Sequence, residues 1–277
     1  MMPIEQRPLL KVLHYLGMVL LMAAFVIPFL WMISTSLKSY AETVIFPPKW
    51  IPSKIMWSNF TAAWESGPFL KYFMNSVVVS ISILLLQFTT IILAAYAFAR
   101  YRFKGGNLLF GITMVTLMIP GQLIFLPVYL LMSKWGLLNT LFALILPFSS
   151  SAFGIFMLRQ SFKQVQEELI EAARLDEAPE WKIILKIMVP MARPTLVTFA
   201  LFSFIAHWND YFWPLVMTTT DAARTLPIGI SKLREVDGGA AWHILMAGNM
   251  ILVIPILIVF SLAQRHIIKA FVYSGVK

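Results

Sequence analysis

The chain of 277 residues contains no cysteine. Disulfides, thiol nucleophiles and thiolate metal sites are therefore excluded. Charge is scarce too. Asp, Glu, Lys and Arg together make up 13% of the residues, against roughly 25% in a soluble domain. The four histidines, His14, His207, His243 and His266, are scattered, with no H-E-x-x-H pair, so a zinc protease has no support. There is no G-x-x-x-x-G-K-[ST] phosphate loop, Lys104-Gly105-Gly106 being only a turn, and no G-x-S-x-G nucleophile elbow. The chain carries no catalytic set and no nucleotide site of its own, so any energy it uses must come from a partner.

What fills the sequence instead is hydrocarbon. Hydrophobic residues make up 59% of it and the mean hydropathy is +0.78. Six runs are long enough to cross about 30 Å of lipid. They extend from about Val12 to Ser36, Phe73 to Phe98, Leu108 to Met132, Leu138 to Leu158, Met188 to Met217 and Ile244 to Gln264. The first is too long for a signal-peptide core and is expected to stay as an anchor. The second exceeds a perpendicular crossing and implies tilt. A closed barrel would need alternating segments of roughly 10 residues, which are absent. The expected class is an all-α integral membrane protein with six transmembrane helices.

Polar breaks interrupt this pattern. Pro120, Gly121 and Gln122 cut the third run, and Pro147 with Ser149, Ser150 and Ser151 cuts the fourth. Carbonyls freed at such breaks must face protein or a wet cavity, and close packing through small residues accounts for them equally well. Asn209 and Asp210 lie near the far end of the fifth run, amid Trp208, Tyr211 and Trp213. These aromatics suit an interfacial belt, while an acid inside a membrane suits a solute path or gate. Gln122, Asn209 and Asp210 are thus candidates for a substrate path. Asn75 and Ser76, opening the second run, read as a helix cap.

Net charge is +9, which at membrane edges indicates a cytoplasmic face rather than nucleic acid. Fourteen of the 22 Lys and Arg residues fall on one side of the six spans. They are Arg7, Lys11, Arg100, Arg102, Lys104, six between Arg159 and Arg193, Arg265, Lys269 and Lys277. That side should be cytoplasmic and hold both termini. On the other side, the stretch from Lys38 to Lys71 holds Pro47, Pro48, Pro52 and Pro68 and reads as a folded cap. The loop from Thr218 to His243 is polar, with Gly238 and Gly239.

One charged island remains, between the fourth and fifth runs: EAARLDEAPEWKIILKIMVPMARP, from Glu171 to Pro194. Gln164 to Leu175 are good helix formers, with Leu169, Ala172 and Asp176 on one stripe. Pro179 fits the first turn of a second helix, and Trp181, Ile184, Leu185 and Met188 give that helix an apolar face. The island is expected to be helix, turn, helix. Ala172 and Ala173 would let another surface approach the backbone closely, although an amphipathic loop lying on lipid headgroups has the same look.

The spacing within the island resembles the EAA signature of ATP-binding-cassette importer permeases. It comprises Glu171-Ala172-Ala173, three residues, a turn at Glu177, nine residues, then Ile187-Met188-Val189-Pro190. That family usually has glycine at the turn. A glutamate there implies either a looser turn or a partner for the acid. The stretches from Met118 to Pro147, Phe153 to Phe162, Trp208 to Leu215 and Thr225 to Ile230, and the terminal SGVK, are similar to the sugar-importer branch, most of all to the shorter, second permease of maltose-type systems.

The resemblance implies the transmembrane domain of a type I importer with a cytoplasmic coupling helix. Residues 1–71 would form an N-terminal helix and extracellular loop, 72–270 the transporter domain with its coupling loop at 164–190, and 271–277 a cytoplasmic tail. The implied partners are a second permease, an ATPase dimer that binds the ATP and magnesium, an extracellular solute-binding protein and the lipid bilayer, with no nucleic acid. The implied location is a bacterial or archaeal cell membrane. ATPase coupling would fall to Glu171, Ala172, Ala173, Arg174, Asp176, Glu177 and Pro190. The implied cargo is a di- or oligosaccharide, with glycerol phosphate or another small polar solute as alternatives. An ion-driven secondary transporter is a competing class, but it should show paired broken helices in matching halves, and the breaks do not recur so.

Overall fold

A computed structural model describes residues 8–234 and 241–272. Gly238, Gly239, the first seven residues and the terminal SGVK lie outside the described residues. No strand occurs among the described residues. The chain divides into two compact units, Met1–Phe69 with Gly229–Ile254, and Leu70–Ile228 with Pro255–Lys277.

In the first unit, α1 (Pro8–Ser36) is followed by the short α2 (Tyr40–Thr43) and α3 (Ser58–Glu65). The most apolar window of α1 buries nothing inside the chain, as expected of a helix covered by lipid or another subunit. The stretch after it is a folded cap, as its prolines and aromatics predict. Asn59 donates from Nδ2 to the carbonyls of Ser36 and Lys38, at 2.9 and 2.8 Å, pinning α3 to the end of α1. Lys38 is buried with its Nζ 3.9 Å from the Trp31 ring centre. Glu42 accepts the Ser53 N–H at 2.9 Å, and hydrogen bonds from Ser53 and then Ser39 hold its carboxyl down to about 2.

The second unit carries the rest of α4 (Phe69–Arg100), then α5 (Gly106–Val115), α6 (Gly121–Lys134), α7 (Leu141–Ile145), α8 (Ala152–Lys163) and α9 (Glu167–Leu175). There follow α10 (Glu180–Ile183), a π-helical turn (Ile184–Met188), α11 (Val189–Met191), α12 (Arg193–Trp208) and α13 (Phe212–Met217). The chain finishes with α14 (Leu226–Lys232) and α15 (Trp242–Val272). Among the described residues, three helices are continuous, apolar and long enough to cross a membrane: Leu10–Ser36, Phe69–Arg100 and Trp242–Arg265. Three bent pairs qualify as spans only when joined, which brings the number to six.

The bends follow the prolines. Gly106–Met118 and Gly121–Lys134 meet at 99°. Pro120 pushes the preceding Ile119 into extended backbone, with φ −87° and ψ 114°. Leu141–Phe148 and Ala152–Lys163 meet at 42°, after Pro147. The expected unbroken fifth run from Met188 to Met217 is corrected: it begins at Glu180, bends by 79° at Ala192, and stops at Trp208. Pro194 has no N–H to give the carbonyl of Pro190 four residues back, so the ladder cannot continue between them.

The carbonyls freed at the second break face protein. Gln87 Nε2 donates to Phe148 O at 3.0 Å and Thr90 Oγ1 to Ser149 O at 3.0 Å. Gly154 lets α8 lie against its neighbours, since a Cβ there would sit 2.7 Å from Phe199 Cε2 and 3.1 Å from Ile91 Cδ1. Asn75 and Ser76 are not a cap, because α4 starts six residues earlier at Phe69. Asn75 Nδ2 donates instead to the carbonyls of Ala222 and Arg224, and Ser76 Oγ accepts the N–H of Leu226 at 2.8 Å. These bonds tie the polar loop before α14 to α4.

Candidate functional site

The island folds as helix, turn, helix, and one of its faces is sealed. Ile170 is fully buried, Ile183, Ile184 and Met188 join it, and Ala173 and Ala178 pack half-buried against the same core. Ala172 is exposed, as are Leu169 at 44% and Leu175 at 85%. The two alanines of the signature thus do different work: Ala173 fits α9 to its own core, and Ala172 stands on the open face. Leu169 and Leu175 thus leave apolar surface exposed on a charged loop. Glu171, Arg174, Asp176, Glu177 and Pro190 are exposed as well.

The turn is tight. Glu177 takes a left-handed φ of 54°. Its N–H bonds Arg174 O and that of Ala178 bonds Ala173 O, both at 3.0 Å, the paired pattern of a Schellman helix end. Of the two alternatives for a glutamate here, the looser turn is therefore ruled out. The hydrogen bonds at the helix end and the seating of Ala178 hold the backbone where glycine would be easier. Glu177 forms no ion pair among the described residues. A non-glycine residue in this conformation costs about 1–2 kcal/mol. Glu177→Gly should therefore leave uptake unchanged and modestly slow hydrogen exchange in the turn. Lost uptake would show that the acid touches a partner.

A second set of side chains braces α9 from below. Arg100, at the end of α4, has a side chain only 7% exposed and pairs with Glu167 at 2.5 Å. Its second terminal nitrogen donates to Phe162 O at 2.6 Å and Val165 O at 2.5 Å, carbonyls around the end of α8, the first of which also takes the Val165 N–H at 3.2 Å. Arg174 reaches Glu180 at 3.1 Å across the turn, and Tyr96 donates to the same carboxylate. No local pattern in the sequence points to Arg100 or Tyr96. The only hint is that α4 exceeds the thickness of a bilayer, so its last turn must leave the hydrocarbon.

Two of the substrate-path candidates come together. Gln122 and Asp210 line an open cavity of about 610 Å³ with Trp135, Phe148, Phe212 and Trp213. That volume suits a small ligand. Asp210 Oδ1 also accepts the Trp213 N–H at 3.2 Å, capping α13. Trp213 is held in turn by its indole N–H on Ala143 O at 3.1 Å. Asn209 does not line the cavity; its amide turns back onto Ile205 O at 3.0 Å. No cation lines the wall, and no cluster of His, Asp and Glu able to hold a metal occurs among the described residues.

Bent apolar spans, a cavity walled by aromatic rings and a braced helical loop with one open face define a multi-pass membrane transport component. The chain belongs to the family of binding-protein-dependent transport system inner membrane components, whose model matches residues 87–273. It is 35% identical over 280 residues to the arabinooligosaccharides transport system permease protein AraQ of Halalkalibacterium halodurans, covering 99% of both chains. It is 32% identical to the diacetylchitobiose uptake system permease protein NgcG of Streptomyces coelicolor, over 87% of this chain and 81% of that one. A sn-glycerol-3-phosphate transport system permease protein, UgpE of Yersinia pestis, is also 32% identical, over 82% and 84%. The fold matches a chain in the crystal structure of a bacterial importer of the acidic polysaccharide alginate, with TM-score 0.83 at 22% identity, covering 94% and 96%.

Proposed function

We propose that the chain forms half of the pore of an ATP-driven importer and carries a neutral oligosaccharide. A second permease would complete the pore, a pair of ATPase subunits would bind and hydrolyse the ATP, and an external solute-binding protein would deliver the sugar. The observation that carries this reading is the island: a helix sealed on one face, held rigid by Arg100, and presenting Ala172 between exposed leucines on the other. Closure of an ATPase cleft around that face would move α9, and through Ile170 and Met188 the packed core joined to α12. Glu171, Ala172, Arg174 and Asp176 would form the contact, and Glu177 would set the turn beside it. Ala173 would hold the helix in place, and Pro190 would sit just before the bend into α12, the helix leading back into the membrane.

The choice of cargo follows from the cavity. Carbohydrates are held by aromatic faces and by neutral or acidic hydrogen-bonding groups, which Trp135, Phe212, Gln122 and Asp210 supply. Glycerol phosphate or an acidic polysaccharide would need a compensating cation, and none lines this wall. The charge distribution supports both termini and the island on the cytoplasmic face. Cysteines at exposed Ser133 and Gln166 should then label only from outside and only from inside, respectively.

The direct test is uptake in vesicles. Arabino- or chito-oligosaccharide import should need ATP, the ATPase pair, the second permease and the binding protein together. Uptake by this chain alone on a proton or sodium gradient would replace the proposal with an ion-coupled transporter. Import of glycerol phosphate in preference to sugar would overturn the cargo.

A further inference from the structure

Where α4 leads into α5, four cations gather in one place. Arg102, Lys104, Arg159 and Lys163 line an open cavity of about 550 Å³. No carboxylate lines it, and among the described residues the ion pairs use other arginines, Arg100, Arg174 and Arg224. Arg159 is fixed in advance: its Nε donates to Phe98 O at 3.1 Å, and its guanidinium lies 3.9 Å from the Phe110 ring centre. Gly105, at φ +83°, folds the loop sharply, and Gly106 lies so close to the Phe103 ring that a Cβ would come within 3.2 Å of it. That fold brings the start of the ten-residue α5 to the cavity, where Asn107 and Leu108 line it. The first-turn N–H groups and the helix dipole there add to the positive field.

The cavity also sits at an edge of the hydrocarbon. It lies between the end of one apolar helix at Arg100 and the start of another at Gly106. Tyr101 and Phe103 are 48% and 44% exposed beside it, as aromatics are at a membrane interface. From its rim, α5 presents Leu108, Leu109 and Ile112, each at least half exposed, a surface on which an acyl chain can lie.

We propose that this cavity holds the phosphate of an anionic phospholipid, taken by Arg102, Lys104 and Lys163 at the start of α5 while its tails follow the leucines of that helix. The lipid would offset part of the repulsion among four cations that no carboxylate opposes and fasten the loop next to Arg100, and so stiffen the base of α9. A soluble phosphate has the same headgroup chemistry, but would gain nothing from the apolar track.

The test uses the full chain, solubilised with whatever subunits accompany it and placed in nanodiscs of mixed phosphatidylglycerol and phosphatidylcholine. After mild delipidation, mass spectrometry should find phosphatidylglycerol retained at least about five-fold over phosphatidylcholine. The combined Arg102→Ala, Lys104→Ala, Lys163→Ala variant should lose that preference, while Lys49→Ala, Lys54→Ala, Lys71→Ala should keep it. Asn107→Asp is the independent variant. A carboxylate in the first turn favours the helix but repels a phosphate, so lipid should be lost with thermal stability intact. Unchanged retention in the triple variant and in Asn107→Asp would overturn the proposal. So would displacement of the lipid by millimolar inorganic phosphate at matched ionic strength, which would assign the site to a soluble anion. Loss of an accompanying subunit from the triple variant, with lipid retention unchanged, would assign it to a protein surface.

Discussion

Ala172→Arg should abolish sugar uptake while the chain remains folded in its membrane. Ala172 is exposed, whereas its neighbour Ala173 packs against the core of Ile170, Ile183 and Met188. An arginine at position 172 therefore displaces no buried group of its own chain, and substitutions at such surface positions usually change stability by no more than about 0.5 kcal/mol. Against an ATPase cleft the same side chain must either hold the surfaces apart or lose its water without a partner. Stranding a buried polar group costs about 1–3 kcal/mol, and more for a charge, and each 1.4 kcal/mol is a factor of about ten in binding. The expected result is normal expression and melting temperature, uptake at background, and ATPase subunits lost on purification or hydrolysing without transport. Ala173→Arg should instead lower the melting temperature, because that charge would be driven into the core. Full uptake in Ala172→Arg would mean that α9 lies on lipid headgroups, where an added cation is harmless or helpful.

Arg100→Met should release the island from its base and reduce uptake at least about ten-fold. The ion pair with Glu167 is not the main reason. Glu167 is 52% exposed, and pairs open to water contribute only about 0–1 kcal/mol. The carbonyls of Phe162 and Val165 matter more, since Arg100 donates to both. Each hydrogen bond from a charged donor contributes about 1.5–3 kcal/mol. Losing them should open the segment from Phe162 to Ala178 locally without unfolding the rest of the chain. Hydrogen exchange should therefore accelerate in α9 and its turn, and not in α12. Glu167→Gln provides the contrast: it removes the pair, spares both carbonyl bonds, and should retain most of the uptake. Equal losses in the two variants would show that the ion pair, and not the carbonyl clamp, holds the loop.

The sequence by itself determined the class of protein, the number of apolar runs, two of the places where they break, and the site of the charged island. These follow from composition and short-range chemistry. Twenty apolar residues are enough to define a possible span, Pro120 alone ends a helix at Ile119, and a run of good helix formers closed by a turn defines α9. The family signature around Ala172 lies within one continuous loop and is legible for the same reason.

What only the tertiary structure decided concerns partners distant in the chain. Ala172 and Ala173 are identical letters, and burial alone separates the exposed face from the packed one. Gln122 and Asp210 meet across one cavity, while Asn209, next in sequence, turns its amide back onto its own helix. Arg100 finds Phe162 and Val165 more than 60 residues away. The fifth run bends at Ala192 because two prolines four residues apart leave a carbonyl without its donor, and the packing around Met188 and Ala192 fixes the direction of that bend. Glu177 adopts a glycine's backbone because hydrogen bonds to Ala173 and Arg174, and the seating of Ala178, together outweigh a local preference of about 1–2 kcal/mol. A local rule states the cost of a conformation, and only the contacts made by the rest of the chain decide whether that cost is met.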